Sequence, residues 1–111
     1  MPEIPEEARG LVEEFQSYQQ QLQNVMMQKE TLRMQSAEIT KALEELSASK
    51  EEKAYKIAGN VMISKPAEDI KKELDEMKET IDVRLKSFEK MEEKINFRLK
   101  ELQAKLKEVI K

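Results

Sequence analysis

The chain of 111 residues is long enough for one small domain, and 39% of its residues are charged. Its 20 basic and 23 acidic residues leave a net charge of −3, which argues against general nucleic-acid binding. Because the sequence has no His and no Cys, it lacks the usual general base, thiol nucleophile and zinc ligands. A metal site would have to consist of carboxylates alone, and we expect none. Two Gly and three Pro among many Leu, Ile and Met favour long helices or a coiled coil.

The sequence predicts no membrane span, because no uninterrupted apolar stretch approaches the ~20 residues that a span requires. The first residues are acidic and lack an apolar core, so they do not match a secretory signal. We therefore expect a cytoplasmic protein.

A heptad pattern predicts a long helix over residues 6–51. Its a and d positions are Ala8, Leu11, Phe15, Tyr18, Leu22, Val25, Lys29, Leu32, Ser36, Ile39, Leu43 and Leu46. This alternation of three-residue and four-residue steps is typical of a seam between two supercoiled helices. Lys29 and Ser36 are polar seam positions, which either set the register or are simply tolerated.

A second seven-residue repeat predicts a helix over residues 66–111. Its main row is Leu74, Ile81, Phe88, Ile95, Leu102 and Val109. The alternate positions of the stripe are predicted at Ile70, Met77 and Met91. Arg84 and Arg98 interrupt this row, and Leu85 and Leu99 replace them one residue later. Such a drifting stripe predicts a straighter helix of 3.6 residues per turn.

The start of this second helix is marked by Pro66, which suits the first helical position. Glu68 and Asp69 suit the positive end of the helix dipole that follows.

Residues 52–65 have the two-residue period of β-structure and predict a hairpin linker. Tyr55 and Ile57 alternate in the first run, Val61 and Ile63 in the second, and Gly59 begins the turn. The predicted fold is therefore mainly α. It is a single domain, an antiparallel two-helix coiled coil with a central hairpin.

Two surfaces follow from this fold. A lone hairpin is marginally stable and has two open edges, so we expect it to assemble with other subunits into a sheet or barrel. The predicted assembly residues are Tyr55, Ile57, Gly59, Val61, Met62 and Ile63.

The opposite end of the coiled coil is predicted to carry both termini and an apolar binding site. The residues predicted at this tip are Ile4, Leu11, Val12, Phe15, Leu102, Leu106, Val109 and Ile110.

The order and spacing of several motifs resemble the prefoldin family, and specifically the β class of its archaeal subunits. The matching runs are Tyr18-Gln19-Gln20-Gln21-Leu22, Lys41-Ala42-Leu43-Glu44-Glu45-Leu46, Tyr55-Lys56 followed by Gly59 and Val61-Met62-Ile63, and the heptads after Pro66. One hairpin between the helices resembles the β class, since the α class carries a second hairpin.

The resemblance implies an ATP-independent holdase chaperone without a cofactor. It implies a hexamer of two α and four β subunits, in which the hairpins build a barrel body and the arm tips capture unfolded polypeptides. It also implies transfer of these clients to a group II chaperonin. Open strand edges leave a β-only homo-oligomer as a further expectation. Some members of the family carry a flexible tail, whose role cannot be carried over to this sequence, which ends at Lys111.

Three other classes of protein are alternatives to this interpretation. A coiled-coil scaffold or oligomerisation module would give a dimer that has no effect on denatured proteins. A tubulin-cofactor-type helical chaperone would not use a hairpin for assembly. An enzyme has the weakest support, because the sequence pairs no nucleophile with a base.

Overall fold

The structure is a computed structural model that describes residues 5–109, which form two helices and a two-stranded antiparallel sheet. Helix α1 spans Glu6–Ser49, strand β1 Lys53–Ala58, strand β2 Val61–Pro66 and helix α2 Ala67–Val109. The predicted fold class, two long helices joined by one hairpin, is confirmed. Ile4 and Ile110, two of the residues predicted at the tip, lie outside the described residues.

The described residues fall into two compact units, each containing a segment of both helices. The terminal unit comprises residues 5–30 and 86–109, and the hairpin unit comprises residues 31–85. Glu14 pairs with Arg98 and Lys29 with Glu92, so the two helix segments of the terminal unit are antiparallel. In the hairpin unit Leu46 lines the same groove as Ile70.

The seam predicted for α1 is confirmed at every a and d position, each of which is buried or half-buried. Val25, Leu32 and Ile39 are among its buried members. The local spacing of apolar side chains was enough to identify this face, because a stripe with a period of 3.5 residues has only one way to face a partner helix.

The second row predicted for α2 is wrong at two positions. Met77 and Met91 are exposed. The row that is buried or half-buried consists of Lys78, Leu85, Glu92, Leu99 and Leu106. With the main row from Leu74 to Val109, it keeps a strict alternation of four-residue and three-residue steps. The stripe therefore does not drift, and α2 has the spacing of a coiled-coil seam throughout.

Helix α1 ends at Ser49, whose hydroxyl donates a hydrogen bond to the carbonyl of Leu46 over 3.3 Å. Lys50 follows with φ of 54°, the left-handed conformation that commonly ends a helix. The chain then enters the hairpin, whose two-residue turn is Gly59–Asn60. Gly59 has φ of 61°, as the first central residue of a type II′ turn requires.

The prediction that Pro66 begins α2 is wrong. Pro66 is the last residue of β2 and pairs with Lys53. Its fixed φ and missing N–H are tolerated at a strand end that faces no further strand. The helix begins at Ala67, whose N–H donates to the carbonyl of Glu52 over 2.8 Å and closes the base of the hairpin. Glu68 and Asp69 lie in the first turn, as predicted.

Candidate functional site

The hairpin displays large apolar side chains on both of its faces. In the register of the strands Ile57 is opposite Met62, and Ala58 is opposite Val61. Because opposite residues of an antiparallel pair share a face and successive residues alternate, Ile57 and Met62 project from one face and Val61 and Ile63 from the other. The exposed apolar residues of the hairpin are Tyr55, Ile57, Val61, Met62 and Ile63.

These exposed side chains coincide with two open strand edges. β1 and β2 hydrogen-bond only to each other among the described residues, so the outer backbone groups of each strand are unpaired within the chain. Open edges with apolar faces are ready to pair with further strands. Assembly through this hairpin remains a prediction, since the structure contains one chain.

Glu73 of α2 fixes the orientation of the hairpin on the helix. Its carboxylate accepts hydrogen bonds from Lys65 Nζ at 2.7 Å and from Lys56 Nζ at 3.1 Å, one lysine from each strand. Both bonds lower the pKa of Glu73 below its usual value, that from Lys65 the more strongly. Because Lys56 and Lys65 share the face of Val61 and Ile63, this face is directed toward α2 and the face of Ile57 away from it.

The terminal unit contains the residues predicted for the tip, and the helix pairing covers them. Leu102 is fully buried, with an exposed fraction of 0%. The other described members of the predicted set are half-buried: Leu11, Val12, Phe15, Leu106 and Val109. Val12, which is not one of the a and d positions of the α1 seam, is thus partly covered as well. These residues are available to a ligand to the extent that the seam opens.

An exposed aromatic side chain of the terminal unit was not predicted as part of any site. Phe97 is 68% exposed and lines an open groove of about 580 Å³, together with Tyr18, Met91 and Ile95. The sequence does contain a signal for this residue. Phe97 lies two positions after the seam residue Ile95, so a heptad count places it on the solvent side of α2.

Arg98 lies at the rim of the same groove and connects the two helices. Its guanidinium donates to Glu14 Oε1 from Nη2 at 2.6 Å and from Nε at 3.1 Å, and to Glu101 at 3.4 Å. The bonds to Glu14 are the main reason why the pKa of Arg98 is raised above its ordinary value. The charge of Arg98 is therefore already compensated within the chain.

Within residues 5–109, no group of three or more His, Cys, Asp or Glu side chains is placed to hold a metal ion. No helix in that part of the chain is long and apolar enough to span a membrane. Among the described residues, the features suited to binding are the exposed apolar side chains of the hairpin and those beside Phe97.

Two long helices with antiparallel paired segments, joined by one β-hairpin, define a class of helical-arm proteins that carry a small two-stranded sheet. The family described as Prefoldin subunit matches residues 9–111 of this sequence. The chain belongs to the prefoldin family. Membership implies a chaperone role and assembly with other prefoldin subunits.

Individual relatives agree with this assignment over nearly the whole chain. A prefoldin subunit beta from Archaeoglobus fulgidus is 38% identical, with 99% of this chain and 96% of that protein covered. One from Saccharolobus islandicus is 32% identical, with coverage of 96% and 86%. The crystal structure of the prefoldin beta subunit from Thermococcus strain KS-1 superimposes with a TM-score of 0.88 at 35% identity. The superposition covers 97% of this chain and 96% of that one.

Proposed function

We propose that this chain is the β-type subunit of an ATP-independent holdase, which captures unfolded polypeptides and passes them to a group II chaperonin in the cytoplasm. The observation that carries the proposal is the agreement in sequence and fold with prefoldin beta subunits over nearly the whole chain. The proposed assembly is a hexamer of two α and four β subunits, with a β-only homo-oligomer when the α partner is absent.

The hairpin supports the assembly part of the proposal. Its exposed apolar side chains lie on both faces, and burying each one against another subunit contributes about 1.5–3 kcal/mol. Its open edges allow strands from other subunits to continue the sheet. A body of several hairpins would cover both the edges and the faces.

The terminal unit supports the capture part. Its apolar residues include Leu11, Phe15 and Leu106, which are half-buried at the ends of the two helices. Helix ends fray more readily than helix centres, so these side chains become accessible at a modest cost in free energy. Each contact with a client would be weak, and several arms acting together would raise the affinity by multivalency.

The alternative function is a coiled-coil scaffold without chaperone activity, which the buried seam alone would also support. An aggregation assay separates the two. A denatured client such as citrate synthase is diluted into nucleotide-free buffer, with and without this protein and its α partner. Light scattering follows aggregation, and light scattering coupled to size-exclusion chromatography gives the mass of the protein. Suppressed scattering by a large oligomer supports the holdase, whereas unchanged scattering with a simple dimer supports the scaffold.

Trimmed variants test where capture takes place. Deleting residues 1–12 and 102–111 removes most of the predicted tip residues and leaves the hairpin unit intact. The proposal predicts that the trimmed protein assembles normally and no longer captures clients. Equal capture by the trimmed protein would place the client-binding surface outside the tips.

A further inference from the structure

A groove of about 320 Å³ lies at the base of the hairpin, within the hairpin unit. Helix α1 contributes Ala42 and Leu46 to its lining, α2 contributes Ile70 and Leu74, and β1 contributes Ala54. All five side chains are apolar, and all are buried or half-buried. We name this feature the basal groove. It combines both helices with one strand of the hairpin, and the pairing of β1 with β2 leaves it unfilled.

We propose that the basal groove belongs to the contact between copies of this chain and receives the side chain of Ile63 from β2 of a second copy. The inference rests on the proposed assembly through the hairpin, and it adds a surface that the two helices supply.

The position of the groove relates it to the open edge of β1. Strand β1 lines the groove, and no described residue of β2 does. A strand that extends the sheet beyond β1 therefore lies over the groove. The edge offers unpaired backbone groups, and the groove offers a pocket for a side chain of the added strand. Recognition by strand addition uses these two elements together.

Charge favours β2 rather than β1 as the added strand. A second β1 would bring Lys53 and Lys56 alongside the same two lysines, and like charges on neighbouring strands are unfavourable. Residues 61–64 of β2 carry no charge. Lys56 and Glu73, which also line the groove, already pair with each other at 3.1 Å. The groove thus suits an apolar side chain from a neutral segment of strand.

The strand register identifies the side chain that enters. Val61, Ile63 and Lys65 share the face of β2 that is directed toward α2. In a continued sheet, the same face of the second copy is directed toward the helices of the first. Ile63 is the apolar member nearer the base of the hairpin, where Ala54 of β1 lines the groove. Ile63 is 40% exposed in its own chain, so the contact buries apolar surface that is still in water.

This contact is head to tail, because the β1 side of one copy meets the β2 edge of the next. Each copy supplies one basal groove and one Ile63. A closed ring of copies fills every groove and leaves no strand edge open.

Filling the groove by substitution tests the proposal. Ala42→Leu enlarges an apolar side chain of the lining at a position of α1 outside its a and d seam positions. Ala37→Leu is the matched control, since Ala37 is an exposed residue of the same helix that does not line the groove. Sedimentation velocity over a series of concentrations measures the association of the chain alone. Circular dichroism verifies that each variant keeps its helices.

We expect Ala42→Leu to weaken the association of copies about tenfold, because the filled groove no longer admits Ile63, and Ala37→Leu to leave it unchanged. Ile63→Ala should weaken it to a similar extent. The double variant Ala42→Leu with Ile63→Ala should recover part of the loss, since a smaller side chain then meets a smaller groove.

Four results would overturn the proposal. Unchanged association in Ala42→Leu removes the groove and leaves assembly through the hairpin intact. Equal weakening by Ala42→Leu and Ala37→Leu shows a general effect of the helix surface. Additive losses in the double variant exclude Ile63 as the side chain that enters. An unmodified chain that forms no oligomer without its α partner excludes a second copy as the occupant, while the proposed holdase of α and β subunits still stands.

A direct readout comes from single-cysteine variants, because the chain contains no cysteine. Chains with Ala42→Cys are assembled together with chains with Ile63→Cys and treated with a short bifunctional maleimide. A cross-link between the two variants can form only between copies. The proposal predicts a high yield from this mixture and a low yield from Ala37→Cys with Ile63→Cys. Equal yields from the two mixtures contradict it.

Discussion

The ammonium group of Lys29 lies 2.6 Å from Glu92 Oε2 inside the helix seam of the terminal unit. The Lys29 side chain is only 10% exposed, and among residues 5–109 Lys29 is the sole buried residue that is polar or charged. In the terminal unit, the seam residue one heptad before Lys29 is Leu22, and the seam residue one heptad after Glu92 is Leu99. The two charged residues therefore occupy seam positions whose neighbours in this unit are apolar. A slip of one heptad would leave Lys29 opposite Leu85 or Leu99, so the ion pair favours the observed register.

Breaking this ion pair should lower the free energy of unfolding of the protein. Glu92→Met leaves a buried ammonium without a partner and should destabilise the protein by about 3 kcal/mol. The double variant Lys29→Met with Glu92→Met should recover most of the loss, because two apolar residues can pack where the ion pair stood. Urea denaturation at fixed protein concentration compares the unmodified protein with the single and the double variant. A loss in Glu92→Met that the second substitution does not recover would show that the carboxylate acts through other partners.

The second prediction concerns the pH dependence of hairpin anchoring. Since the pKa of Glu73 is lowered in the folded chain, its ion pairs stabilise the fold above the ordinary carboxyl range. This stabilisation is lost as the pH falls through the lowered pKa. Glu73→Gln should therefore lower the unfolding midpoint at pH 7 and have almost no effect at pH 2. Glu79→Gln, an exposed glutamate on the same helix, is the control. A difference between Glu73→Gln and the unmodified protein that persists at pH 2 would contradict the assignment.

The third prediction tests assembly through the hairpin. Ile57→Asp with Ile63→Asp places a carboxylate on each face of the sheet, where assembly would desolvate it at high cost. The oligomer should dissociate, with helical circular dichroism retained because Ile57 is 72% exposed within the chain. Met34→Asp adds charge at an exposed position of α1 and should leave the oligomer mass unchanged. An unchanged mass for the Ile57 and Ile63 variant would exclude the hairpin faces as the interface.

The fourth prediction uses Gly10, an exposed residue of α1 in the terminal unit. Apart from its chain neighbours and the adjacent helix backbone, an added Cβ at this position would meet no atom of the described residues within 4 Å. Alanine also has the higher helix propensity. Gly10→Ala should raise the free energy of unfolding by about 0.5–1 kcal/mol and reduce fraying of the helix start. Hydrogen exchange of the first turns of α1 measures this effect directly. Faster exchange in Gly10→Ala would contradict it.

The same variant separates two routes of client capture. If clients bind seam residues such as Leu11 and Leu102 after the helices open, a firmer helix start weakens capture. If they bind a surface that is already exposed while the helices stay paired, the client Kd is unchanged. Measuring the client Kd of Gly10→Ala beside that of the unmodified protein distinguishes the routes.

Sequence patterns alone were sufficient to predict the helices and strands of this protein and one complete helix face. The seam of α1 could be read from Ala8 to Leu46 because heptad spacing is a local property that a partner helix can satisfy in one way. The hairpin could be read because β-type alternation on either side of Gly59 and Asn60 requires a tight turn. The residues 18–22 and 41–46 also carried the resemblance to the family that the comparisons confirmed.

At positions where the sequence allowed two interpretations, tertiary contacts determine which side chain faces the partner helix. Exposed Met91 and half-buried Glu92 are adjacent, and hydrophobicity alone selects the methionine for the seam. Lys29 reverses that choice, since its buried charge requires the carboxylate opposite it. The helix start at Ala67 and the attachment of both strands to Glu73 likewise depend on tertiary contacts. Local periodicity in a sequence cannot encode such contacts, because they join residues distant along the chain.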